Sequence, residues 1–202
     1  MKVKSLSLIA VLMLLSAILI PLRAGSQNQA NTGVAATKDD VVTGTDANDK
    51  IDTGDGNDNV SGKGGNDFIE SGDGDDLVSG DEGDDKIQAG SGDDYIMGNE
   101  GNDTVSDGPG NDFINLGPGN DTLVYFLDNN KGYKDYAVGG EGEDTLIIVS
   151  DENLDDLMKN QIIKYYEQQN MVGADVGHLG KLNMTLGTSD FEHIMIATGF
   201  TF

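Results

Sequence analysis

The chain has 202 residues, with 29 Gly, no Cys, no Trp, 6% aromatic residues, and 36 acidic against 12 basic side chains for a formal charge of -24. Without cysteine there is neither a disulfide framework nor a thiolate metal site, and the sign of the charge excludes steering toward nucleic acid or an anionic membrane surface. Such a chain stays disordered unless its carboxylates are neutralised, which makes divalent cations the natural partner.

At the N-terminus, Lys2 and Lys4 precede an uncharged, mostly apolar run from Leu6 to Leu22, followed by Arg23, Ala24 and Gly25. This is the layout of an export signal over residues 1–24, with cleavage near Ala24 or Ala30. A retained membrane anchor is the alternative, because the run approaches the ~18 residues that span a bilayer. Both place the remainder outside the cytoplasm. Residues 25–43 read as a linker.

From Gly44 to Val124 the chain divides without a gap into nine nonapeptides. The sixth position is Asp in all of them: Asp49, Asp58, Asp67, Asp76, Asp85, Asp94, Asp103, Asp112 and Asp121. The eighth is always aliphatic: Ile51, Val60, Ile69, Val78, Ile87, Ile96, Val105, Ile114 and Leu123. The fourth is Gly in all but the first, where Ala47 stands, and the fifth is always Asn or Asp. Gly followed by Asn or Asp allows a sharp turn, and positions seven to nine then form a short strand with the aliphatic residue inward. Two nonapeptides make one coil, so residue i stacks on residue i+18, and at ~4.8 Å between strands the nine repeats form a rod roughly 22 Å long. The first position is Gly at 44, 62, 80 and 98, whereas the second is Gly at 54, 72, 90 and 108, so the two rows of turns use different chemistry. Leu116 breaks that alternation and marks the expected end of the roll near Val124.

These repeats resemble the Gly-Gly-x-Gly-x-Asp-x-aliphatic-x unit of the repeats-in-toxin (hemolysin-type) calcium-binding nonapeptide family. The resemblance implies an all-β fold, a right-handed parallel β-roll (β-solenoid), with calcium ions in the turns between successive coils. It also implies that the nine sixth-position aspartates supply carboxylate ligands and the glycine-rich turns supply carbonyls. With only His178 and His193 as nitrogen ligands, the chain offers oxygen almost exclusively, which suits calcium better than zinc or copper. Magnesium is the rival, but it demands compact octahedral geometry. Ions sandwiched between turns 18 residues apart number about seven inside the repeats. Residues 39–124 hold 23 acidic and 3 basic side chains, so the metal-free roll is expected to be disordered and the calcium form folded. Acid is expected to unfold it by protonating the ligands.

The seventh positions Asn59, Leu77, Tyr95 and Phe113 lie 18 apart on one outward face, and the last three form an apolar ladder. Either it stabilises the sheet by stacking or packs under the C-terminal segment, or it meets a cell-surface or glycan partner. Residues 125–150 read as a loop that interrupts the stack, followed by a tenth repeat around Asp144, a further candidate ligand whose coil partner the spacing leaves open. Residues 151–202 read as a helix to about Gln169 and then strands, a small α+β cap over the end of the roll. Phe191-Glu192-His193-Ile194 is similar to the Phe-Glu-x-Ile element that follows such repeats. Neither a His-Glu-x-x-His zinc motif nor a Gly-x-Ser-x-Gly elbow occurs, and no catalytic residue or organic cofactor is expected. The reading is an extracellular calcium-binding module with a structural, adhesion or interaction role. A small secreted hydrolase or lyase on the same scaffold, using a basic residue such as Lys181, is the alternative.

Overall fold

The computed structural model describes residues 31–130, 132–150 and 186–198. The expected export signal and the helix over 151–169 lie outside the described residues. Among the described residues fifteen short strands follow one another: β1 (Asn31–Thr37), β2 (Val41–Thr43), β3 (Lys50–Asp55), β4 (Asn59–Ser61), β5 (Phe68–Asp73), β6 (Leu77–Glu82), β7 (Lys86–Ser91) and β8 (Tyr95–Glu100). Then come β9 (Thr104–Ser106), β10 (Phe113–Pro118), β11 (Thr122–Phe126), β12 (Asp135–Glu141), β13 (Thr145–Ser150), β14 (Leu186–Ser189) and β15 (His193–Thr198). Odd-numbered strands form an eight-stranded sheet in sequence order, and even-numbered strands a seven-stranded sheet. Every ladder is parallel, and through the repeats the register is i to i+18, as in Ile51 to Ile69 to Ile87 to Val105. This is a parallel β-roll, the fold class expected from the repeats.

Period-two alternation turns the sixth, eighth and first positions of each nonapeptide into the coil, and the burial pattern follows it. All nine eighth-position aliphatics are at most 1% exposed and form one continuous core. From Leu116 onward that core thickens, adding Tyr125, Leu127, Ile148 and Phe191. A second apolar cluster, Val124, Ile147, Val149 and Ala197, lies on the opposite face of β11, β13 and β15.

The alternation of turn chemistry has a steric cause. In the row that leads into the odd strands, a Cβ at Gly62 or Gly80 would run into the carboxylate of Asp67 or Asp85 and the carbonyl of the next coil, so only glycine fits. The following residues Lys63, Asp81 and Asn99 adopt φ of 77°, 72° and 71°, and Asp81 is held there by Ser61, Ser79 and the Lys63 amide. In the other row the strained position is the second: Gly72, at φ +107°, lies against the backbone of Gly54, where any Cβ would collide.

The roll reaches past both ends of the 44–124 span set by the repeat pattern. Strands β1 and β2 occupy the stretch read as a linker, with Asp40 and Val42 in the sixth and eighth places of a degenerate repeat whose fourth residue is Lys38. The stack also continues beyond Val124, contrary to the ending inferred from Leu116. Residues 125–129 are a five-residue insertion inside one coil, after which Asp135 and Ala137 fill the sixth and eighth places of a repeat without its glycine. Asp144 therefore stacks on Asp121 at a 23-residue offset, which settles its partner. Strands β14 and β15 add a further rung to each sheet, with Ile194 in register with Leu146.

Candidate metal centres

The inward sixth positions form two columns of carboxylates. One contains Asp49, Asp67, Asp85, Asp103, Asp121 and Asp144, ending at Glu192; the other contains Asp58, Asp76, Asp94 and Asp112, flanked by Asp40 and Asp135. Within the two columns, every aspartate from Asp49 to Asp144 is at most 3% exposed. Within a column the backbone N–H of one aspartate donates to Oδ1 of the aspartate one coil later, as from Asp67 to Asp85 at 2.8 Å and from Asp103 to Asp121 at 2.7 Å. Fifth-position residues build an opposed ladder: the amide of Asp93 donates back to Asp75 Oδ1, and that of Asn111 to Asp93 Oδ1. The invariant Asn or Asp at position five is thus an inter-coil acceptor as well as a turn former.

The second oxygen of the carboxylate is stranded. Oδ2 of Asp58, Asp67, Asp76, Asp85, Asp94, Asp103, Asp112, Asp121 and Asp144 is buried and accepts no hydrogen bond. A buried acceptor left without a donor costs ~1–3 kcal/mol, more when charged, so its repetition in register suits a cation as the partner of these oxygens. In the glycine-first row the same small space that a Cβ would fill is bordered by this oxygen and by the carbonyl stacked against it in the next coil: Asp67 with Gly80, Asp85 with Gly98, Asp103 with Leu116, and Asp144 with Asp190. Carboxylate and carbonyl oxygens converging without nitrogen or sulfur are the donor set of a hard cation, and calcium fits it.

Electrostatics agree. Burial, opposed by the backbone N–H bond and reinforced by neighbouring acidic groups, pushes Asp94 and Asp103 up to about 8 and Asp67 and Asp112 to about 7. The same causes bring Asp85 and Asp121 to about 6. By contrast, the exposed fifth-position Asp84 and Asp93 are held below the usual carboxylate range by the Asn102 and Asn111 amides they accept.

The model of the RTX calcium-binding nonapeptide repeat (4 copies) matches residues 34–69, 70–105 and 88–123. This segment consists of repeats-in-toxin calcium-binding repeats. The match begins at residue 34, inside the stretch whose degenerate repeat carries Asp40 and Val42. No curated protein and no solved structure matches the chain significantly. Three acidic members of the columns, Asp40, Asp135 and Glu192, fall outside the nine regular repeats, and the last two lie beyond the matched segment. Each was legible as an acidic residue two before Val42, Ala137 or Ile194, and each was overlooked because the glycine four places into the repeat is absent.

On the outer face of the even sheet, Leu77, Tyr95, Phe113 and Tyr136 stand in register. Tyr95 stacks on Phe113 with centroids 4.8 Å apart, and Phe113 on Tyr136 at 5.5 Å. The ladder is open to solvent: Leu77 is 39%, Tyr95 43% and Tyr136 44% exposed.

Proposed function

We propose that this chain is a secreted calcium-binding module that folds around its ions outside the cell and serves as a structural or interaction scaffold. The observation that carries the reading is the column of buried, donorless Oδ2 atoms facing the carbonyls of the next coil. Ions between successive rungs would number about eleven, one for each of the eleven sixth-position contacts between coils, instead of the seven enclosed by the regular repeats alone. Asp49, Asp58, Asp67, Asp76, Asp85, Asp94, Asp103, Asp112, Asp121 and Asp144 supply the carboxylates. Export of the disordered metal-free chain, followed by folding where calcium is plentiful, accords with the N-terminal signal layout.

Equilibrium dialysis against calcium tests this. The chain should retain roughly eleven ions, and Asp85→Asn, which borders two gaps, should retain one or two fewer at the same free calcium. A chain that retains none, or a variant with an unchanged count and affinity, would sink the reading.

The aromatic ladder is the surface we assign to a cell-surface or glycan partner. Stacked pairs contribute only ~0.5–1.5 kcal/mol, so the double substitution Tyr95→Ala, Phe113→Ala should leave calcium-dependent folding in place while abolishing retention on cells or a glycan array. If binding survives and only thermal stability falls, the ladder is cross-strand stacking and nothing more.

A further inference from the structure

One gap between coils is built unlike the others. Asp107 occupies the first position of its nonapeptide, the place taken by Thr53, Ser71 and Ala89 in the preceding coils of the same row. There the hydroxyls of Thr53 and Ser71 donate to the carbonyls of Ser71 and Ala89 one coil on, at 2.9 and 2.8 Å. An ionised carboxylate has no proton to donate. Asp107 instead brings its oxygens beside those of Asp112 and Asp135, and one ligand atom from each of the three lies within 4.8 Å of the other two, all three residues being buried.

A second, uncharged side chain is aimed into the cluster. Asn130, the first-position residue of the next coil and 1% exposed, donates from Nδ2 to Asp107 Oδ2 at 3.4 Å, and its own Oδ1 has no donor. Asp107 Oδ1 and Asp112 Oδ2 are likewise stranded. The fourth wall is Tyr125, whose hydroxyl donates to Asp135 Oδ2 at 2.7 Å and fixes that carboxylate. Three like charges this close in a dry interior repel unless protons or a cation lie among them.

We propose that Asp107, Asp112, Asn130 and Asp135 form a cation site of their own class, in which first-position side chains join the sixth-position pair. It is the tightest calcium site of the chain. Three carboxylates converge on it and the Asn130 amide borders it, able to present its oxygen by a flip about its terminal bond, and affinity in oxygen cages rises with the number of charged ligands. Its place is mechanically apt. The five-residue insertion at 125–129 lengthens this one connection, and an ion shared by Asp107 and Asp112 on one side and Asn130 and Asp135 on the other ties the coils across it. The identity of the ion rests on the calcium reading above; the cluster itself does not need the other gaps to be filled.

The test compares the intact chain with Asp107→Ser, a residue the fold already accepts at position 71, and with Ser71→Ala as a control. In calcium titrations followed by circular dichroism, Asp107→Ser should raise the folding midpoint about tenfold and Ser71→Ala less than twofold. Were Asp107 only a buried acid, deleting its charge would leave the midpoint unchanged or lower it, which overturns the proposal. Terbium added alone gives the second readout, since Tyr125 lies against the site and transfers excitation. Emission at the first equivalent should be strong in the intact chain and largely lost in Asp107→Ser; equal emission would also overturn the assignment. If no protein folds with calcium but terbium still separates the two, the calcium reading fails and the cation site stands.

Discussion

Chelating calcium should erase most of the strand signal of this chain in far-ultraviolet circular dichroism, and restoring calcium should return it. The cause is the spacing of the carboxylate columns. Stacked rungs are ~4.8 Å apart, well inside the ~8 Å Debye length at physiological salt, so dissolved ions screen neighbouring aspartates poorly. Each coil adds a buried carboxylate to each of the two columns, while each half-coil contributes one eighth-position aliphatic to the core. That core is too thin to outweigh the repulsion and the chain entropy together. Sodium chloride at physiological strength should therefore fail to replace calcium, and magnesium at equal concentration should restore little, because it dehydrates reluctantly and demands a tighter octahedron. The hydrodynamic radius should shrink over the same calcium range as the spectrum changes. An unchanged spectrum and radius in excess chelator would refute the coupling of folding to the ions.

The second large effect is a reversal of pH dependence between the calcium-loaded and chelated chains. With calcium, protons compete for the ligand oxygens, so the calcium midpoint should rise as the pH falls from 7 toward 5. For the protein alone the sign is opposite. Burial raises Asp94 and Asp103 to about 8 and Asp67 and Asp112 to about 7 in the fold, against 3.8 for an unperturbed aspartate. A group with a raised folded-state pKa binds protons more tightly in the fold, so its contribution is fully present below 3.8 and is lost as the pH rises through about 8. The chelated chain should thus be most unfolded above pH 8 and gain strand signal on acidification to about pH 4. Paired circular dichroism titrations check it. Parallel curves for the two forms, in either direction, would contradict the account, and the simple expectation of acid unfolding holds only for the calcium-loaded form.

The aspartate columns, the inward aliphatic column, the i+18 register and the outward Leu77, Tyr95, Phe113 ladder were all legible in the chain, because a nine-residue unit recurring in phase leaves little freedom in how its copies stack. The pattern became unreadable where glycine at position four gives way to Lys38 or Tyr133, since the turn there is imposed by the coils above and below and no longer announced by its own residues. Leu116 illustrates the same point. It ends the alternation of turn glycines, yet its side chain is fully buried in a core that widens from that point, so it belongs to the roll's continuation.

The sequence by itself determined that the repeats build a parallel β-roll: its periodicity sets which atoms face inward, and its lack of cysteine and near lack of imidazole line the turns with oxygen. Only the tertiary structure decided where the roll begins, how Asp144 finds Asp121 across an insertion, and which carboxylate oxygen is left for an ion. Those outcomes depend on hydrogen bonds between coils 18 or 23 residues apart, and above all on Asp107 meeting Asn130 and Asp135, residues that no local spacing brings together.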